Sequence, residues 1–157
     1  MRMFLKLTIL AACIAVALLA GGLLLNRLPW TEPPGVTARV RVYLTTNVAQ
    51  TSETALFPEL RPRKYPLPPE QMLTLVRDAA RALGWEIVAE NAGRGMLGAV
   101  VTTPFMRFKD DVTVTVKPAD SGSVVHVRSQ SRVGKGDLGT NTRHVIDFYG
   151  ALDHLAR

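Results

Sequence analysis

Apolar positions divide the chain into unlike parts. Leu7 to Leu25 holds nineteen residues of which only Thr8 is polar. At a rise of about 1.5 Å per residue a helix of that length reaches ~28 Å, close to the ~30 Å hydrocarbon core of a bilayer. One transmembrane helix is therefore predicted, within an anchor over residues 1–26. Pro29, Pro33, Pro34 and Gly35 follow; proline this dense forbids continued helix, and 27–35 reads as a short, stiff spacer. From Val36 the pattern changes. Val36, Ala38, Val40, Val42 and Leu44 alternate with Thr37, Arg39, Arg41 and Tyr43, which predicts a strand with one buried face. Residues 45–68 lack any period and contain Pro58, Pro62, Pro66 and Pro68, so an extended surface wrap is expected there.

Helical spacing returns with Met72, Leu73, Val76, Ala79, Ala80 and Leu83 on one stripe. Pro69 suits the first turn, Glu70 the positive end of the helix dipole, and Gly84 the stop. Four β-rich runs come next, Trp85 to Glu90, Met96 to Thr103, Asp111 to Lys117 and Ser123 to Ser129, with turns at 91–95 and 118–122. A last helix is predicted over Thr142 to Leu155, capped by Thr140 or Asn141, with Val145, Ile146, Phe148, Tyr149, Leu152 and Leu155 as its apolar face. Short turns imply antiparallel pairing, and two helices with single apolar faces must cover the sheet. The predicted architecture is α+β: an amino-terminal transmembrane helix, then a two-layer sandwich of antiparallel sheet and two helices over 36–157.

Charge orients this arrangement. Arg2 and Lys6 precede the apolar run and Arg27 follows it, which favours a cytoplasmic amino terminus and, in a bacterium, an inner-membrane protein with a periplasmic domain. No small-x-small cleavage site lies just beyond the run, so an uncleaved signal anchor is expected over a cleavable signal peptide. Leu10-Ala11-Ala12-Cys13 resembles a lipoprotein box, but only Leu7 to Leu10 precede it and more apolar sequence follows; Cys13 reads as a small apolar residue. As the single cysteine, it excludes an intrachain disulfide. From Arg27 onward 17 bases face 13 acids, a balance of 17 − 13 = +4, and the bases are scattered. Nucleic acid is not an expected partner.

Three constellations bear on chemistry. In Phe105-Met106-Arg107-Phe108-Lys109-Asp110-Asp111 the two carboxylates are neighbours at the start of a strand and point to opposite faces, so they do not share a site. One is expected to pair with an arginine of the next strand, the other to cap the turn. Second, Arg128, Arg132 and Arg143 bracket a stretch holding Gly134, Gly136 and Gly139. Neither nucleotide-binding spacing is met. What remains is an anion site on free amides or, as its structural alternative, a buried network in which Asp137 and one of the two neighbouring aspartates neutralise Arg128 and Arg132. Third, His126, His144 and His154 have no metal-ligand spacing, and Ser129 and Ser131 sit in no nucleophile elbow. No catalytic, metal or cofactor site is expected.

Phe108-Lys109-Asp110-Asp111-Val112, followed by the segment from Val127-Arg128-Ser129-Gln130-Ser131-Arg132 through Gly134, Asp137-Leu138-Gly139 and Asn141, resembles the family called domain of unknown function 1499. The resemblance extends from about Thr45 to the end. It implies bacterial or plastid origin, frequent membrane attachment and no established activity. Its recurring positions map to Asp110, Asp111, Arg128, Ser129, Ser131, Arg132, Gly134, Asp137, Gly139 and Asn141. Many members carry a Pro-Asn-Cys-like segment near the domain start; here Thr46-Asn47-Val48 stands instead, which excludes a role for that thiol. The expectation is a non-enzymatic, membrane-anchored periplasmic domain that docks on or stabilises another envelope or integral-membrane protein, in one version an accessory subunit of a respiratory or photosynthetic complex. The alternatives are a small-molecule or anionic-lipid-binding domain, or an enzyme, using the Asp110/Asp111 and Arg128/Arg132 cluster.

Overall fold

A computed structural model describes residues 2–104 and 106–157, with positions 2, 15, 18, 19, 22, 23 and 25 described by backbone only. Phe105, the first residue of the candidate segment 105–111, lies outside the described residues. The helices are α1 (Arg2–Leu25), α2 (Val36–Thr45), α3 (Pro69–Ala82) and α4 (Thr140–Leu155). The strands are β1 (Val48–Gln50), β2 (Arg63–Tyr65), β3 (Glu86–Asn91), β4 (Met96–Thr102), β5 (Lys109–Ala119) and β6 (Gly122–Ser131). All strand pairs are antiparallel in the order β1-β6-β5-β4-β3, and β2 shares the outer edge of β6 with β1. The α+β class and the four-strand meander agree with the alternation in the sequence.

Inward positions of the sheet carry the core. Leu97, Ala99, Val112, Val114, Val125 and Val127 meet Met72, Val76, Ala79 and Ala80 of α3 and Val145, Phe148 and Leu152 of α4. Each buried aliphatic side chain stabilises the fold by about 1.5–3 kcal/mol. Trp85 stacks on Phe148 with centroids 5.6 Å apart, and the Tyr149 hydroxyl donates to the Val125 carbonyl at 2.7 Å. The unperiodic stretch after Thr45 supplies the two short edge strands β1 and β2, so only part of it is the plain extended wrap that its prolines suggested.

The segment 36–44 corrects the sequence reading: it is the helix α2, not a strand. Alternation and helical spacing coincide at positions four apart, and the face that decides the matter is Arg39 with Tyr43. Both are fully buried, whereas Val36 and Leu44, which a strand would have buried together, are 53% and 43% exposed. Arg39 reaches the carbonyls of Glu32 and Pro33, the Tyr43 hydroxyl and the Glu59 carboxylate, and lies 4.6 Å over the Phe57 ring. Tyr43 is met edge-on by Trp30 and Phe57, both at 5.7 Å. Tertiary contact thus overrides the β-preference of Val36, Thr37, Val40 and Val42. The spacer also lies against the domain: Leu28 is buried with Tyr43 and Phe57, and Trp30 packs against them.

α1 is a helix of 24 residues. Among the described residues no helix is long and apolar enough to cross a membrane, six positions of α1 after residue 14 falling outside the side-chain description.

Removing one partner of a buried ion pair strands the other, at about 3–5 kcal/mol. Arg39→Ala should therefore lower the unfolding free energy by ~3 kcal/mol or more in denaturant titration. Arg39→Met combined with Glu59→Leu should recover most of that loss; failure of the double variant to recover would show that the carbonyl bonds, not the pair, hold α2.

Candidate functional site

The inward stripe of the sheet changes character at one end. Along β6 it runs Val125, Val127, Ser129, Ser131, and along β5 Val114, Val112, Asp110. The register places Asp110 beside Ser131. The first two turns of α4, with Asn141 and His144, cover this polar end, and all five side chains are buried.

Asn141 organises the cluster. Its Oδ1 accepts from Ser129 Oγ at 2.5 Å, and its Nδ2 lies 2.7–2.9 Å from Asp137 Oδ2, Ser131 Oγ and the Asn47 carbonyl. Asp137 caps α4: Oδ1 accepts from the Gly139 amide at 2.8 Å and Oδ2 from the Asn141 amide at 2.9 Å. The predicted cap, Thr140 or Asn141, is therefore corrected: both already belong to the helix, the N-cap position is Gly139, and the Asp137 carboxylate two residues before it receives the first amides. Asn47 Nδ2 donates to the carbonyls of Ser131 and Gly134, tying down both ends of the turn that follows β6.

Glycines let that loop approach α2. A Cβ at Gly136 would lie 2.4 Å from the Leu44 carbonyl oxygen; Gly139, at φ +83°, would drive one to 2.3 Å from Leu28 Cδ1. The amides of Asp137 and Leu138 both donate to the Tyr43 carbonyl, at 3.2 and 3.0 Å, satisfying an orphan acceptor of the last turn of α2. Leu138 is held at φ +55°, a left-handed conformation uncommon outside glycine. Its carbonyl accepts from Asn26 Nδ2 at 2.8 Å, and Arg143 donates to the Arg27 carbonyl at 3.2 Å. The carboxyl end of α1 is thereby fastened to the same loop.

Between this loop and the start of β5 lies a cavity of about 750 Å³. Pro104, Met106, Phe108, Val133 and Leu138 give it apolar walls, with Asn26, Ser131, Thr140, the buried Asp110 and the half-buried Asp137 among its polar lining. Asp110 is 1% exposed, and among the described residues neither of its oxygens has a hydrogen-bond partner. The nearest candidate, His144 Nδ1, is 3.7 Å away, too far for a hydrogen bond.

Burial pushes the His144 pKa below its ordinary value against the opposing pull of Asp110, Asp147 and Asp137, so the ring is neutral near pH 7 and forms no ion pair with Asp110. Ser129 Oγ lies 3.2 Å from His144 Nδ1. With the serine hydrogen committed to Asn141, the imidazole is the donor of that contact, the reverse of what nucleophile activation needs. Asp137 shifts the other way: burial raises its pKa, opposed by the Asn141 and Gly139 bonds, and the neighbouring Asp110 charge adds to the rise.

The sequence-derived residues therefore fall into two groups. Asp110, Ser129, Ser131, Gly134, Asp137, Gly139 and Asn141 come together. Asp111, Arg128 and Arg132 lie on the other side of the sheet. Asp111 forms a bidentate pair with Arg132 at 2.7–3.1 Å, both about half exposed, as the neighbour-strand pairing anticipated. The expected capping role of the other aspartate is corrected, since Asp110 faces inward and caps nothing. The proposed anion site is corrected too, and of its network alternative only the Asp111–Arg132 pair forms, exposed rather than buried. Arg128 bonds to Gln130, Arg143 to Asp147, and Asp137 to amides and Asn141, so the three arginines do not converge. His144 and Asn26 were not recognised as site residues. For His144 the available signal was its place one turn after Asn141 on an inward helix face. Among the described residues no group of three or more His, Cys, Asp or Glu is placed to hold a metal.

The sequence profile of the family described as "Protein of unknown function (DUF1499)" matches residues 29–152. No curated protein matches the chain.

Two consequences are measurable. Asn141→Ala removes the hub of the buried cluster and should cost about 3 kcal/mol in chemical denaturation, whereas Arg132→Ala breaks an exposed pair and should cost under ~1 kcal/mol. The pH dependence follows from His144. Its folded pKa is depressed, so the unfolded chain binds the extra proton. The stability this provides is present above the ordinary histidine range and is lost as pH falls through ~6.5, at no more than about 1.4 kcal/mol per pH unit. Melting of wild type and His144→Gln between pH 7.5 and 5.5, above the carboxylate range, should show a shallower slope in the variant; equal slopes would assign the effect elsewhere.

Proposed function

Since the chain belongs to the DUF1499 family, whose description assigns no activity, we propose a function from its own site: a membrane-held, non-enzymatic binding domain that takes a small, largely apolar molecule into the Asp110 cavity. In this reading α1 is the membrane anchor, with the amino terminus in the cytoplasm and the domain in the bacterial periplasm. Support for the anchor comes from the nineteen-residue apolar run and from side chains left exposed on successive positions around α1, including Phe4, Leu5, Leu7, Ile9, Leu10 and Val16. An apolar surface on every side is the mark of a helix meant for lipid or for burial.

The observation that carries the binding reading is Asp110. A carboxyl group sealed from water without a partner costs several kcal/mol, and Asp110, whose oxygens have none among the described residues, is one of the residues lining a cavity of ligand size. A second reading, docking on an envelope or integral-membrane protein complex, is favoured by the exposed Met106, Phe108 and Val133 around the cavity, which offer an apolar seat for a partner's side chain.

The full chain, purified from membranes in mild detergent and examined by mass spectrometry, should carry a small molecule in near-stoichiometric amount, and Val133→Trp, which plugs the mouth, should lose it. A stoichiometric polypeptide in its place would favour docking; wild type with nothing bound would overturn the binding reading. The anchor predicts resistance to alkaline extraction that disappears when residues 2–25 are deleted.

A further inference from the structure

We infer that the cavity is built for an amphiphile whose head is a protonated primary amine. The inference rests on the binding reading above and assigns its ligand class. Among the residues lining the cavity, one carboxyl group is without matching donors. Asp110 has two buried oxygens without a hydrogen-bond partner among the described residues, and Asp137 lines the same space with its oxygens already engaged by two amides and Asn141. Among the described residues no lysine or arginine lines the cavity. His144, beside Asp110, is held neutral by its burial and spends its Nδ1 hydrogen on Ser129. Two carboxyl groups therefore share one apolar recess with no counter-charge supplied by the lining.

A ligand ammonium provides what the recess lacks: three donors and one positive charge at a point. Ser131, whose hydroxyl oxygen is the Asn141-bonded acceptor on the same floor, and Thr140 leave room for the remaining N–H vectors. Pro104, Met106, Phe108, Val133 and Leu138 then enclose an aliphatic or isoprenoid tail rather than a second polar group. Asn26 on the rim places the opening where α1 ends, at the level at which an amphiphile leaving a bilayer presents its head. An anionic or zwitterionic head with its negative charge foremost meets the two carboxyl groups and is rejected.

Calorimetric titration of the full chain in neutral-detergent micelles with decylamine, decanol and decanoate tests this. Decylamine should bind at least about tenfold more tightly than the other two, and Asp110→Asn should abolish that preference. The same variant removes a buried carboxyl group and should melt at or above the wild-type temperature, so loss of binding is not loss of fold; Val133→Trp serves as the second binding-deficient control. Nanodiscs of phosphatidylcholine with or without phosphatidylethanolamine separate the two sources of the amine. A chemical-shift response confined to the phosphatidylethanolamine discs and sensitive to Asp110→Asn assigns the head group to a lipid, and a response only to free decylamine assigns it to a soluble amine. Equal or tighter binding of decanol or decanoate would overturn the amine assignment and leave the binding reading standing; no binding of any of the three, nor of lipid, would overturn both.

Discussion

The structure turns on a single constraint: at one end of the sheet the inward stripe stops being valine and becomes Asp110, Ser129 and Ser131, and buried polar groups must find partners. Asn141 meets most of that demand from the first turn of α4. Its amide bonds two serines of β6, the Asp137 carboxylate at the start of its own helix and the backbone of the segment before β1 together. That fixes where α4 starts, which fixes the loop before it. The loop in turn seats on the end of α2 through the Tyr43 carbonyl and on the end of α1 through Asn26.

Asp110 is the member left out. Every other buried polar side chain of the cluster is bonded within the fold, and the fold does not collapse onto this one; a cavity remains in front of it. Stability alone would favour an apolar residue at an inward sheet position, since a buried carboxyl group without a partner works against folding. Unsatisfied polarity beside a cavity is the observation on which the proposed binding rests, in contrast to the Arg39–Glu59 pair, where the arginine is fully buried and its donors have partners.

Much of the domain was legible from periodicity. α3 with its proline start and glycine stop, the β3 to β6 meander and the apolar face of α4 all follow from local pattern, because those elements bury one face against a large common core. α2 was not legible. Its buried face is one arginine and one tyrosine, held by Glu59, Phe57 and Trp30 from elsewhere in the chain, and no local rule makes an arginine the inward residue. The candidate residues were half legible in the same sense. Their strand positions foretold that Asp110 and Asp111 would part company, but their destinations depended on what lay across each face of the sheet.

The sequence by itself determined the elements whose apolar spacing is regular, the α+β class, the long apolar run at the amino terminus and the family to which residues 29–152 belong. Tertiary structure alone decided that the arginines disperse, that the Asn141 amide rather than an arginine bonds the buried serines and Asp137, and that Asp110 lines a cavity beside the end of α1. Periodicity reports only whether a residue faces in or out. What it meets there is settled by segments about a hundred residues apart in sequence, as when Asn26 reaches Leu138, and that pairing is a property of the packed chain.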